Sequence, residues 1–166
     1  MKPISKLSQS ETPHWEWFIA LLAVLKKENQ PTTLRLEKLL GTEKENPTGE
    51  IRGSKFIVPF NSNIKSIALN PILDRQDEDV PPIAMILAGN TFGITLAELT
   101  QLFFIESTQL NRYDEGTNFI FVPQSNEYGF LRLTCWTPME IDYSQQMDGI
   151  IFFHFTFEFP SAKPIQ

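Results

Sequence analysis

The segment 149–159, GIIFFHFTFEF, decides the fold of this chain. Side chains of a β-strand alternate between its two faces, so one face here would carry only Ile151, Phe153, Phe155, Phe157 and Phe159. The other face begins apolar and becomes polar, with Ile150, Phe152, His154, Thr156 and Glu158. A helix cannot segregate residues that are spaced by two. The segment therefore predicts a strand whose odd-numbered face lies beneath an apolar layer.

Helices are the expected source of that layer. A first helix is predicted over 13–29, with Thr12 as N-cap, Pro13 at the first helical position, and an inner stripe of Trp17, Phe18, Leu21, Leu22, Val24 and Leu25. A second is predicted over 34–40, after Thr33 and before Gly41. The capping box Thr95-x-x-Glu98 predicts a third, with apolar residues at helical spacing: Leu96, Leu99, Leu102 and Phe103.

Further strands are expected at 55–58, 64–69, 83–87, 118–122 and 128–136, with a polar loop over 106–116. Helices and strands are segregated along the chain, which favours an α+β fold. We expect an antiparallel sheet, with a meander in its C-terminal half, covered on one face by about three helices. One domain is predicted over 13–160, between flexible ends at 1–12 and 161–166.

The charge of the chain is acidic and unevenly distributed. The 166 residues carry a net charge of −6. Residues 1–55 hold nine Lys or Arg and seven Asp or Glu, a net of +2, whereas residues 56–166 hold five and thirteen, a net of −8. This balance argues against nucleic-acid binding, because phosphate contacts need Lys and Arg. It favours encounter with basic proteins.

The compartment is suggested by a single cysteine. Cys135 has no internal disulfide partner, which is typical of a reducing environment. The longest apolar run, 17–25, has nine residues and is too short to cross a bilayer. No small-residue cleavage site follows this run, so we expect no signal peptide and no membrane association. The sequence predicts a cytoplasmic protein.

Catalytic and metal-binding patterns are weak. Cys135 shares strand parity with Leu131 and Leu133, which favours a buried small side chain. His154 could meet it across the sheet as a base, an arrangement that the sequence leaves open. The acidic run Asp74, Asp77, Glu78 and Asp79 lacks the glycine and final glutamate of an EF-hand loop. We therefore expect no enzyme activity, no cofactor and no metal site.

Binding surfaces are the remaining functional signal. The leading hypothesis is an inhibitor or immunity-type protein, in a bacterial host, that neutralises a basic partner such as a secreted nuclease toxin. The alternatives are an acidic dimeric chaperone for a secreted effector, and a small-molecule enzyme that uses Cys135 or His154; homodimerisation stays open. The expected partner-binding residues are Asp74, Asp77, Glu78, Asp79, Asp114, Glu115, Glu140, Asp142, Asp148, Phe152 and His154.

Overall fold

The computed structural model describes residues 6–29, 33–43, 55–69, 83–88, 94–111, 116–129, 131–137 and 154–158. Within them the chain forms three α-helices: α1 (His14–Val24), α2 (Thr33–Leu40) and α3 (Leu96–Thr100). The strands are β1 (Gly41–Glu43), β2 (Lys55–Pro59), β3 (Ile64–Leu69), β4 (Ile83–Ala88), β5 (Phe103–Asn111), β6 (Gly116–Pro123), β7 (Arg132–Thr137) and β8 (His154–Glu158). Two 3-10 turns lie at Lys27–Asn29 and Asn126–Tyr128.

The eight strands form one antiparallel sheet in the order β1-β2-β3-β4-β8-β7-β6-β5. It consists of two four-stranded meanders, β1 to β4 and β5 to β8, which join where β4 pairs with β8. Strand β8, the last of the described strands, therefore lies at the centre of the sheet rather than at its edge. The α+β class and the C-terminal meander predicted from the sequence are both confirmed.

Helix α1 packs on the odd-numbered face of β8. The ring of Phe18 lies 6.0 Å from that of Phe157 and 6.4 Å from that of Phe103, measured between ring centroids. The predicted inner stripe of α1 is buried throughout. The sheet contributes its own buried side chains to the same core, from every strand whose side chains are described except β1: Ile57, Ile64, Ile67, Leu69, Phe103, Phe119, Phe121, Leu133, Cys135 and Phe157. The prediction that helices cover this face of the strand is consistent with these contacts.

The start of α1 differs from the predicted cap. Pro13 occupies the N-cap position, and no side chain caps the helix. The Thr12 hydroxyl instead donates a hydrogen bond to the carbonyl oxygen of Lys6 (2.9 Å), and the amide of Asn61 donates to the carbonyl oxygen of Thr12 (3.0 Å). The Thr12 prediction is wrong because its hydroxyl secures the preceding segment to the domain. Leu7 in that segment is 0% exposed, although flexibility was expected through residue 12; residues 1–5 and 161–166 lie outside the described residues.

The region after the capping box also departs from expectation. The box itself is present, but α3 has only five residues and ends at Thr100. Phe103 begins β5, a strand of nine residues that includes most of the predicted 106–116 loop. The helix prediction through Phe103 and the loop prediction for 106–111 are therefore wrong. The spacing of Leu102 and Phe103 fits both a helix end and a strand start, so it could not discriminate between them.

Gly41 shows why α2 leads directly into a strand. A Cβ atom at this position would overlap the carbonyl oxygen of Val58 in the neighbouring strand. Glycine lets the β1 backbone approach β2 closely, so the residue opens a strand rather than only ending a helix. The predicted strand 128–136 is corrected in a similar way, because Tyr128 belongs to a 3-10 turn and β7 begins at Arg132.

Candidate functional site

Most of the sequence-predicted binding residues lie outside the part of the chain that the structure describes. These are Asp74, Asp77, Glu78, Asp79, Asp114, Glu115, Glu140, Asp142, Asp148 and Phe152. His154 is the first residue of β8, and its backbone stands opposite Trp136 of β7 and Leu87 of β4. The carboxylate set therefore remains a prediction.

The described strand ends that flank the acidic connections fall at two ends of the sheet. Asn111 is paired with Gly116, and Trp136 with His154, at one end. The connections between these residues carry five of the predicted carboxylates: Asp114, Glu115, Glu140, Asp142 and Asp148. Leu69 and Ile83 flank the connection with the other four, and Ile83 stands opposite Glu158 at the opposite end. The sequence offered no basis for this division.

The described residues point to a different surface, the sheet face turned away from α1. We define the open face by side chains of β5 to β8 that alternate with the core residues: Phe104, Glu106, Ile120, Val122, Arg132, Thr134, Trp136, Thr156 and Glu158. Each of them is at least partly exposed, whereas the core residues between them on β6 and β7 are buried. The alternation in β7 shows the contrast most directly, since Leu133 and Cys135 are buried while Arg132 and Thr134 retain exposure.

An exposed aromatic ring stands out on the open face. Phe104 is 59% exposed, and it lies on β5 opposite Val122. Burying an aromatic ring of this size supplies much of the affinity at protein interfaces. The sequence reading missed Phe104 because it follows Phe103 directly, and neither residue was assigned to a strand. Both residues are apolar, but the side chains of a strand alternate between its two faces, so one ring lies in the core and the other is exposed.

Charged groups lie on the same face as Phe104. The Arg132 guanidinium lies 3.4 Å from a carboxylate oxygen of Glu106, and both side chains are partly exposed. Glu106 occupies a register irregularity between Ile105 and Ser107, where β5 has one residue more than β6. Glu158 stands opposite Arg132 in the ladder. An apolar ring with one cation and two carboxylates on the same face resembles the centre and rim of a protein contact surface.

Cys135 lies on the other face and is 0% exposed. Burial raises the pKa of its thiol well above the ordinary value. It stands opposite Phe155 in β8 and Phe119 in β6, whereas His154 stands opposite Trp136, one position away. Since nucleophilic chemistry uses the thiolate, a neutral thiol inside an aromatic core serves packing. In the described ranges, no group of three His, Cys, Asp or Glu residues is arranged to hold a metal ion.

Comparisons with known proteins give no functional lead. No family model matches the chain, and neither the curated proteins nor the solved structures that were searched include a significant match. Separately, none of the helices in the described ranges combines the length and apolar character needed to cross a bilayer.

Proposed function

We propose that this chain is a non-catalytic protein-binding domain that docks on a basic protein through the open face. The observation that carries the proposal is the exposure of Phe104 beside partly exposed charged residues in the acidic part of the chain. The partner would be an enzyme or toxin, and the chain would act as an inhibitor or immunity-type protein that blocks its active site. A bacterial, cytoplasmic setting belongs to the same proposal.

The packing of the sheet supports a role for this face. Helix α1 and the inward strand residues already form a closed core on the other side, so the open-face residues are not required to complete it. Removing an exposed aromatic ring from water stabilises a complex by roughly 25 cal/mol per Å² of apolar surface. Phe104 is thus a suitable anchor, and the smaller Ile120, Val122 and Thr134 offer an adjoining contact area.

The distribution of charge supports a basic partner. Residues 56–166, which include β5 to β8, carry the net −8, whereas residues 1–55, which include α1 and α2, carry +2. An acidic surface accelerates diffusional encounter with a basic protein, and salt weakens that effect. The predicted carboxylates Asp114, Glu115, Glu140, Asp142 and Asp148 belong to the same part of the sequence and would add to this field.

Affinity capture followed by a matched pair of variants tests the proposal. The immobilised protein would be incubated with extract of the native host, and captured proteins would be identified, produced separately and titrated. We expect a basic partner whose Kd rises about 30-fold with Phe104→Ala. Ile19→Ala is the control, since Ile19 is the 38% exposed apolar residue of α1 on the helical side. This control should leave the Kd within a factor of about two.

Two results would contradict the proposal. One is a captured partner with no excess of basic residues and no dependence of the association rate on salt. The other is an equal loss of affinity in Phe104→Ala and Ile19→Ala, which would show that the contact surface is not the open face. Thermal unfolding of both variants, measured in parallel, separates lost binding from lost folding.

A further inference from the structure

The two edges of the sheet differ in length and in protection. At one edge, β1 has only three residues. At the other edge, β5 has nine, and among the described residues it pairs with β6 alone. An edge strand presents unpaired backbone N–H and C=O groups, which can accept another strand. Natural proteins usually protect such edges with charges, prolines, bulges or covering elements.

The first half of β5 carries protection of this kind. The side-chain amide of Gln124 donates to the carbonyl oxygens of Thr100 and Phe103, at 2.9 and 3.3 Å. The register irregularity at Glu106 then interrupts the ladder with β6, and the carboxylate of Glu106 is held by Arg132. These features make residues 103–106 a poor template for an added strand.

Among the described residues, no feature of this kind protects the second half of β5. Its sequence, Ser107-Thr108-Gln109-Leu110-Asn111, contains no charge and no proline. Ser107, Thr108 and Gln109 are exposed, and the segment keeps a regular ladder with β6 from Ser107 to Asn111. Five residues equal the usual length of a strand in globular proteins. The edge is therefore regular and uncharged over 107–111, and its side chains are accessible at Ser107, Thr108 and Gln109.

We propose that the segment 107–111 pairs antiparallel with the same segment of a second copy of this chain. With Gln109 at the two-fold axis, Gln109 stands opposite Gln109 of the second copy, Thr108 opposite Leu110, and Ser107 opposite Asn111. Such a contact is isologous, the commonest kind in homodimers. All opposing pairs are uncharged, and the opposing glutamine amides can exchange hydrogen bonds.

The Glu106 carboxylates, which are the charges of β5 nearest to the segment, do not prevent this arrangement. In the proposed register, the Glu106 side chains of the two copies lie six positions apart, about 20 Å. That separation exceeds the Debye length of about 8 Å at physiological ionic strength, so their repulsion is largely screened. An uncharged segment offers nothing that selects a basic partner, whereas it is complementary to itself. Because a five-residue contact is small, the dimer should be weak and concentration-dependent.

Sedimentation velocity with variants that introduce a charge at position 109 tests this dimer. The wild-type chain, measured from micromolar to millimolar concentration, should approach twice its 19.1 kDa mass. Gln109→Lys and Gln109→Glu each place like charges opposite one another and should raise the dimer Kd about fivefold. An equimolar mixture of the two variants should restore at least the wild-type affinity. Ser66→Lys is the matched control, because Ser66 is exposed on β3, away from the edge.

The proposal is overturned if the wild-type chain stays monomeric at millimolar concentration. It is also overturned if a dimer forms but Gln109→Lys and Ser66→Lys affect it equally, or if mixing the two Gln109 variants restores nothing. Because mixing compares the same two variants alone and together, a general loss of folding cannot imitate restoration. The result is independent of the basic partner, whose contact is tested through Phe104.

Discussion

The two faces of the β5 to β8 meander are built from the same strands but have different surroundings. On the covered face, Phe119, Phe121, Leu133 and Phe157 are fully buried in the same core as the inner side chains of α1. On the open face, the side chains between them retain exposure, and Phe104 retains the most among the large apolar residues of the described ranges. Residues one position apart in sequence thus belong to a closed core and to an accessible surface.

This difference separates stability from recognition within one sheet. Side chains of the covered face contribute to the free energy of folding through burial and dense packing. Side chains of the open face contribute less to folding, and they can therefore serve a contact with another protein at small cost in stability. Substitutions on the covered face should accordingly lower the free energy of unfolding, whereas substitutions on the open face should mainly change binding.

The largest difference in the free energy of unfolding is expected when a phenylalanine on each face is replaced by alanine. Phe121→Ala should lower the free energy of unfolding by about 3–5 kcal/mol, because it removes a fully buried ring and leaves a cavity. Phe104→Ala should lower it by less than about 1 kcal/mol, since this ring is mostly in water. Urea unfolding monitored by circular dichroism measures both values. Equal losses would show that the two faces are not distinct.

A smaller effect is expected from the thiol of Cys135, which should make the free energy of unfolding depend on pH. In the unfolded chain the thiol ionises near pH 8.5, whereas burial raises its pKa well above the ordinary value in the folded chain. Between these two pKa values the unfolded state releases a proton that the folded state retains. Stability should therefore be unaffected by the thiol below about pH 8 and fall at higher pH, by up to about 1.4 kcal/mol per pH unit.

Comparison with Cys135→Ala isolates this contribution. The pKa of Tyr128 is also raised, by burial and then by the nearby Glu127 carboxylate, but that group is common to both proteins. The difference in unfolding free energy between wild type and variant should thus change with pH only above about pH 8. Parallel pH profiles up to pH 10 would contradict a sealed thiol on the covered face.

The smallest effect on stability is expected for Glu106→Gln on the open face. The Glu106–Arg132 ion pair is partly exposed, and exposed pairs of this kind contribute about 0–1 kcal/mol. Chemical denaturation should therefore show a loss below about 0.5 kcal/mol. The association rate with the basic partner should nevertheless fall and become less sensitive to salt. An unchanged association rate would show that Glu106 does not belong to the contact surface.

The sequence predicted the covered face well because burial produces a period of two. The uninterrupted odd positions of 149–159 indicated a strand under an apolar layer. The described part of this segment, 154–158, is a strand in which Phe157 is buried and packs on Phe18, while 149–153 and 159 lie outside the described residues. The capping box was also predictive, since the Thr95 hydroxyl accepts a hydrogen bond from the Glu98 amide (3.1 Å) and the Glu98 carboxylate accepts one from the Thr95 amide (2.9 Å). Both signals are local, so a single sequence can carry them.

The edge strand and the open face were harder to predict, for physical reasons. Residues 106–109 of β5 are exposed, so burial imposes no alternation on them and they resemble a polar loop. Phe104 carries no periodic signal because its neighbours on the open face come from other strands. The strand order, which places β8 between β4 and β7, is non-local. Counting carboxylates predicts a basic partner, but it does not indicate which surface would contact that partner.

Hydroxyl-radical footprinting of the free protein and of its complex with the captured partner shows directly which face of the sheet the partner covers. Phe104 should be oxidised in the free protein and protected in the complex. Phe119, Phe121 and Phe157 should be unreactive in both states, because they are buried before the partner binds. A complex in which Phe104 stays as reactive as in the free protein, while residues of α1 such as Ile19 become protected, would contradict it.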